Sequence, residues 1–241
     1  MKSTISKKMM MALLLVPAFG HALFAAESLM EQRYVSARIV AGETSLDGPA
    51  VTGPESVGEI EGEDSESGVG LQLETGMPLG DKGLFVNGLV EWVDYGDDPG
   101  FNMTRASLGV GLLHRLNQNE GTAYYVYAIG GIEYARSSGL DEYGNNPTFG
   151  GLGDGKSGDD VGIGLEGGVG VLFGGKWESN LYAKYYEFFD GAGPGFGARV
   201  FYALSDDWRL VGSWDGLWVE DAGYNIDLDT QRFTIGAAWT Y

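Results

Sequence analysis

Residues 231–241 read Gln-Arg-Phe-Thr-Ile-Gly-Ala-Ala-Trp-Thr-Tyr, and their side chains sort into two faces. Phe233, Ile235, Ala237, Trp239 and Tyr241 fall on one face at period two, while Arg232, Thr234, Gly236 and Thr240 take the other. Side chains alternate in this way across a strand and not around a helix. The stretch is therefore a β-strand with one apolar side, and the same alternation recurs through the chain. Strands of this kind can pack as a sandwich or close into a barrel, and no long helix competes with either.

Nine further strands are predicted. The first alternates Val35, Ala37, Ile39 and Ala41 against Tyr34, Ser36, Arg38 and Val40, and the second Val69, Leu71, Leu73 and Thr75 against Gly70, Gln72, Glu74 and Gly76. The third carries Leu84, Val86, Val90 and Trp92 opposite Phe85, Asn87 and Glu91; the fourth carries Ala106, Leu108, Val110 and Leu112 opposite Arg105, Ser107, Gly109 and Gly111. Tyr124, Val126, Ala128, Ile132 and Tyr134 oppose Tyr125, Tyr127, Gly131 and Glu133 in the fifth, and Val161, Ile163, Leu165, Val169 and Val171 oppose Gly162, Gly164, Glu166, Gly168 and Gly170 in the sixth. The seventh has Leu181, Ala183 and Tyr185 against Tyr182, Lys184 and Tyr186, and its pattern breaks near Glu187, which predicts a bulge or an early exit. Phe196, Ala198, Val200 and Tyr202 face away from Gly197, Arg199 and Phe201 in the eighth, and Trp208, Leu210 and Trp214 from Arg209, Ser213 and Asp215 in the ninth. Tight Gly-, Pro- and Asp-rich turns at residues 78–83, 117–121, 174–175 and 205–207 alternate with five longer loops. Ten strands with four turns at one end and five loops at the other place both termini at the turn end; an eight-stranded barrel, with one hairpin lying outside, is the alternative.

At the start of the chain, Lys2, Lys7 and Lys8 precede an apolar run at residues 9–19 and small residues up to Ala26. That is the layout of a secretory signal, with cleavage after Ala22, Ala25 or Ala26, and the run is shorter than the roughly 18 to 20 residues of a spanning helix. Residues 1–26 are read as the signal and 27–241 as the mature domain. The signal carries three of the 15 Lys and Arg and none of the 34 Asp and Glu, so the remainder is more acidic still than the full chain at −19. An acidic surface excludes nucleic acid as a partner. The absence of cysteine removes disulfides, thiolate metal sites and a lipidated N-terminus.

The export signal, the repeated alternation and the terminal strand ending on Tyr241 resemble bacterial outer-membrane barrels, in particular the OmpA-type and related small barrels. The resemblance implies an all-β, transmembrane, antiparallel up-and-down barrel in the outer membrane of a Gram-negative cell, with periplasmic turns and acidic extracellular loops. It implies lipid and lipopolysaccharide around a monomer, assembly machinery that reads the C-terminal strand, no cofactor, and no peptidoglycan-binding domain after the barrel. Enzymes among outer-membrane barrels use a histidine near the outer surface. Beyond the signal only His114 remains, at the turn end of its strand beside Arg115, where a headgroup-level anchor fits better, so a non-enzymatic protein is expected.

In such a barrel Trp92 and Tyr134 fall near the loop ends, and Tyr124, Tyr202, Trp208, Trp239 and Tyr241 near the turn ends, as two aromatic girdles. Arg38, Glu74, Glu91, Arg105, Glu133, Glu166, Lys184, Arg199, Arg209 and Asp215, with Arg115, lie opposite the apolar face and must line the lumen in pairs, since a lone buried charge is costly. The expected pairings are Arg105 bracketed by Glu91 and Glu133, Glu166 with Lys184, and Arg199 with Asp215. Such a lining is either a salt-bridged plug or a narrow channel made cation-preferring by an acidic rim, and ten strands lie close to the filled end of barrel sizes. The inward glycines would leave a narrow wet path.

Two motifs are set aside. Residues 150–157 read Gly-Gly-Leu-Gly-Asp-Gly-Lys-Ser, which matches a phosphate-binding loop formally but has no strand before it and no helix after it. Gly162, Gly164 and Gly167 match a dinucleotide fingerprint inside an alternating strand. Glu43, Asp47, Glu55, Glu59, Glu61, Glu63, Asp64 and Glu66, with Asp94, Asp97, Asp98, Asp159 and Asp160, form an acidic rim whose spacing matches no calcium loop, so a solvated face is expected and no metal site.

Overall fold

The computed structural model of the chain describes residues 27–47, 64–95, 101–119, 121–138, 159–188, 191–219 and 227–241. A single 3₁₀ turn at Leu29–Glu31 precedes ten strands: β1 (Tyr34–Asp47), β2 (Asp64–Pro78), β3 (Leu84–Tyr95), β4 (Phe101–Asn119), β5 (Thr122–Ser138), β6 (Asp159–Phe173), β7 (Trp177–Phe188), β8 (Gly191–Ala203), β9 (Trp208–Val219) and β10 (Asp227–Thr240). Each strand pairs antiparallel with its sequence neighbours, and β1 closes on β10 with Ile39 opposite Ile235 and Val35 opposite Trp239. An even strand number is what allows an up-and-down chain to close antiparallel. Closure leaves no free edge through the middle of the barrel, where each strand is paired on both sides. The barrel has ten strands, and the eight-stranded alternative is ruled out.

The turn ends are as tight as expected. Gly80, Gly83, Gly121, Gly174 and Gly175 all take positive φ. Gly83 shows why: at φ 74 its carbonyl accepts from the Leu113 amide at 2.8 Å, and a Cβ there would lie 2.1 Å from the Leu113 carbonyl oxygen.

Three expectations about the strands are corrected. There is no bulge at Glu187: β7 keeps regular register with β8 and exits at Phe188, the early exit expected as the alternative, and the irregularity lies in β4, between Arg115 and Asn117. The connection after β7 is not a long loop, because only residues 189 and 190 separate β7 from β8. Gly191, Gly193 and Pro194 read as loop by composition, yet they pair with β7 at a level where pairing with β9 has not begun; that ladder starts at Gly195. A proline is tolerated where one side of the strand is unpaired. Third, the strands run further toward the loop end than the alternation alone marks. Asp47, Asp64, Glu66, Asp94, Asp159 and Asp160 belong to strand ends. The signal, the phosphate-loop-like residues 150–157, and Glu55, Glu59, Glu61, Glu63, Asp97 and Asp98 of the acidic rim lie outside the described residues.

Candidate functional site

The lumen is the site that the fold builds. Strict alternation turns one residue in two inward, and the inward set contains six cations (Arg38, Arg105, Lys184, Arg199, Arg209, Arg232) and six carboxylates (Glu74, Glu91, Glu133, Glu166, Glu178, Asp215) among the described residues, with Arg115 as a seventh cation at the turn end, paired with Glu31. Five of these pairings form one chain of contacts. Glu91 pairs with Arg232 at 2.5 Å, Arg232 with Asp215 at 2.7 Å, Asp215 with Lys184 at 3.2 Å, Lys184 with Glu166 at 3.7 Å, and Glu166 with Arg199 at 2.9 Å. The chain crosses from β3 through β10, β9, β7 and β6 to β8, so it ties opposite walls together. Two pairs stand beside it: Arg105 with Glu133 at 3.4 Å, and Arg38 with Glu74, whose carboxylate also accepts from the Tyr34 hydroxyl at 2.7 Å.

The expected pairing of Glu166 with Lys184 is present. Arg105 keeps Glu133, but Glu91 turns to Arg232, and the second donor contact of Arg105 is to the Tyr186 hydroxyl at 3.3 Å. Arg199 takes Glu166 in place of Asp215, because Arg232 and Lys184 already converge on Asp215. Arg232 is the pivot of the belt and shares its face with Thr234 and Thr240 in the sequence, which is the signal that identifies it. Tyrosine rings fill the space between ions: the Arg199 guanidinium lies 4.4 Å from the Tyr182 ring centroid and Arg105 lies 5.1 Å from that of Tyr186.

Four of the inward glycines are filled by rings, while Gly109, Gly131 and Gly164 border the space that remains. Each of the four faces an aromatic ring of its register partner: Gly76 takes Tyr34, Gly111 takes Phe85, Gly170 takes Tyr125 and Gly197 takes Tyr182. A Cβ at these glycines would lie 2.1 to 2.3 Å from the ring. Glycine is there so that a ring can lie flat across the neighbouring strand, as in cross-strand aromatic rescue. Between the ions and rings a cavity of about 50 Å³ remains, bordered by Glu74, Asn87, Arg105, Glu133, Lys184 and Arg199. At roughly 10–15 Å³ of such space for each water, that holds a few waters among polar partners.

The turn-side mouth is closed by residues 27–32, which sequence alternation does not reach. Ser28 caps the 3₁₀ turn: its hydroxyl accepts from the Met30 amide, and the Glu31 carboxylate accepts from the Ser28 amide. Ser28, Leu29 and Met30 are all buried. Glu178 on β7, itself 1% exposed, accepts from the Ser28 hydroxyl at 2.6 Å, the Leu29 amide at 2.9 Å, the Tyr125 hydroxyl at 2.5 Å and Arg209 at 3.4 Å. Arg115 on β4 grips Glu31 through two nitrogens, at 3.0 and 2.6 Å. Arg209 and Arg115, expected only as lumen charges, thus hold the N-terminal segment. Glu178 was missed although it shares the inward parity of Tyr182 and Lys184.

The outer wall has the opposite character. Ile235 is 69% exposed, Val161 65% and Leu71 62%, while Arg38 and Arg232 are 3% and 5% exposed. No soluble fold presents a continuous apolar wall around a charged interior. The chain is a barrel of the outer-membrane type. Its strands of 12 to 19 residues exceed the roughly 9 to 11 needed to cross, and no described helix is long and apolar enough to do so. Trp92, Tyr124, Trp208, Trp239 and Tyr241 are exposed on this wall, with Trp239 and Tyr241 stacked at 4.9 Å, while Tyr134 and Tyr202 are half-buried there. Trp177 joins the turn-end girdle, 4.6 Å from Tyr202. His114 also faces outward.

No protein-family model matches the chain, and no curated protein matches it in sequence. Among solved structures it is similar to Neisserial surface protein A at 13% identity, covering 86% of this chain and 97% of that one, with a TM-score of 0.39. It is similar to the attachment invasion locus protein Ail of Yersinia pestis at 13% identity, covering 88% and 100%, with a TM-score of 0.33. The NanC porin matches at 11% identity over 84% and 100%, with a TM-score of 0.38. At these scores no residue role transfers, and the site rests on this chain's own side chains.

Proposed function

We propose that this outer-membrane barrel is a closed, non-enzymatic protein with a structural or surface-interaction role, carried by the segments that join its strands at the loop end. The observation that supports a closed barrel is the continuous filling of the lumen. Val40, Val93 and Tyr95 form an apolar layer toward the loop end, the ionic belt follows, then the ring of Phe85, Tyr125, Tyr127 and Tyr182, and finally residues 27–32. The inward charges balance in number once Arg115 is set against Glu31 of the N-terminal segment. Lipid and lipopolysaccharide surround the wall in this reading, and β10, half of the closing seam, is the strand that assembly machinery would meet.

A narrow channel is the second reading. Arg38, Arg209 and Arg232 each keep a buried Nε without an acceptor, so the belt is paired in charge but not fully hydrogen-bonded, which is compatible with hydration. Planar-bilayer recording on the purified, refolded protein separates the two. The closed reading expects no discrete steps; cation-selective steps would overturn it and install the channel.

A further inference from the structure

We propose that residues 27–32 are a displaceable mouth seal, a strap that docks in the turn end of the barrel as a unit and controls access of water and solutes from that side to the lower lumen. The inference rests on the closed-lumen reading and assigns its turn-side closure to one segment.

The strap spans the barrel instead of extending one wall. Leu29 packs with Tyr34, Phe201, Val211 and Ala238, on β1, β8, β9 and β10. Met30 packs with a separate cluster that includes Phe85, Leu113 and Leu172, on β3, β4 and β6. Two neighbouring side chains thus join two clusters on opposite walls, and the backbone between them lies across the axis. Glu178 is the socket: a deeply buried carboxylate that accepts from both a side chain and the Leu29 amide of the strap. The pair of Arg115 and Glu31 is the outer clasp, with side chains 29% and 24% exposed.

The strap is nevertheless separate from the barrel. The β1 ladders with β2 and β10 both start at Tyr34, so no interstrand bond involves residues 27–32. Arg33 is the link, its carbonyl accepting from the Tyr241 amide at 3.1 Å. One 3₁₀ turn has no stability of its own and is ordered only by what it touches. Undocking therefore costs the strap's own contacts and leaves the closed sheet unchanged. It would expose Glu178 and Arg209, a polar lining that water can occupy.

The chain contains no cysteine, so a single reporter is clean. Val211→Cys places a thiol under Leu29, and the probe is a charged, membrane-impermeant maleimide applied to the refolded protein. In the otherwise native chain the reporter should be protected. Adding Leu29→Asp should raise its labelling rate at least about tenfold, the signature of a local opening, while the heat-dependent gel shift of the folded barrel is unchanged. Equal labelling in both backgrounds overturns the seal, as does loss of the gel shift, which would make the strap part of the barrel's framework. Glu178→Gln, which removes charge and keeps shape, should give an intermediate rate; no change from the native rate counts against Glu178 as the socket. Conductance of the unaltered protein tests the closed lumen independently of these labelling ratios.

Discussion

Asp215→Ala is expected to destabilise the refolded barrel by about 3–5 kcal/mol, the cost of breaking a buried ion pair by removing one partner. Asp215 is 7% exposed and is the one acid that both Arg232 and Lys184 approach. Without it Arg232 keeps only Glu91 and Lys184 only Glu166, at 3.7 Å, so two cations are left short of a counter-ion in a space with little water. The measurement is equilibrium unfolding in urea of protein refolded into lipid vesicles, followed by tryptophan fluorescence. Ser213→Ala is the reference, since it loses a neutral hydrogen bond to Thr234 on the same face, worth about 0.5–1.5 kcal/mol. If the two variants are equally stable, the belt does not act as a buried ionic network.

Ile235→Arg is the second large effect, about 2–4 kcal/mol, the cost of a basic side chain at the midplane of a barrel's lipid face. Ile235 is the most exposed large hydrophobic residue among those described, and it faces outward beside Ile39 on the closing seam. Trp239 marks the girdle four residues below it, roughly 13 Å along the strand. Trp239→Arg, at headgroup level, should therefore cost far less for its charge, about 0–1 kcal/mol. The same vesicle unfolding assay reads both. An Ile235→Arg protein as stable as the native one would mean that this wall does not meet hydrocarbon.

The barrel was legible because its alternation is exact at the residues that count: wherever a strand crosses lipid, one face must be apolar, and a single slip would turn a charge outward. Both faces of each strand follow from that rule, the four tight turns from their glycine, proline and aspartate, and closure of β1 on β10 decides ten strands over eight. What failed had local causes. Gly191 to Pro194 look like a loop because glycine and proline weaken strands, but a strand paired on one side only accepts them. Partners in the lumen could not be paired from strand neighbours, because long side chains reach across the hollow. Arg232 finds Glu91 across the interior from β10 to β3, and Asp215 is contested by two cations, so Arg199 is driven to Glu166. Gly76, Gly111, Gly170 and Gly197 read as empty space, whereas their register partners Tyr34, Phe85, Tyr125 and Tyr182 occupy it. The strap has no period at all. Its capping residues, Ser28 and Glu31, are a local signal of a helical turn, but nothing local says that Glu178, some 150 residues away, receives it.

The central claim is that lipid surrounds the apolar wall while the charged face turns into the barrel. Nitroxide side chains placed singly at Leu71, Gln72 and Leu73 of β2 in the cysteine-free chain test it most directly, by their collision rates with oxygen and with a water-soluble nickel chelate in vesicles. At Leu71 and Leu73, oxygen should collide readily and the chelate should be excluded, and at Gln72 collisions with oxygen should fall sharply. Ready access of the chelate to Leu71 and Leu73 would contradict the account.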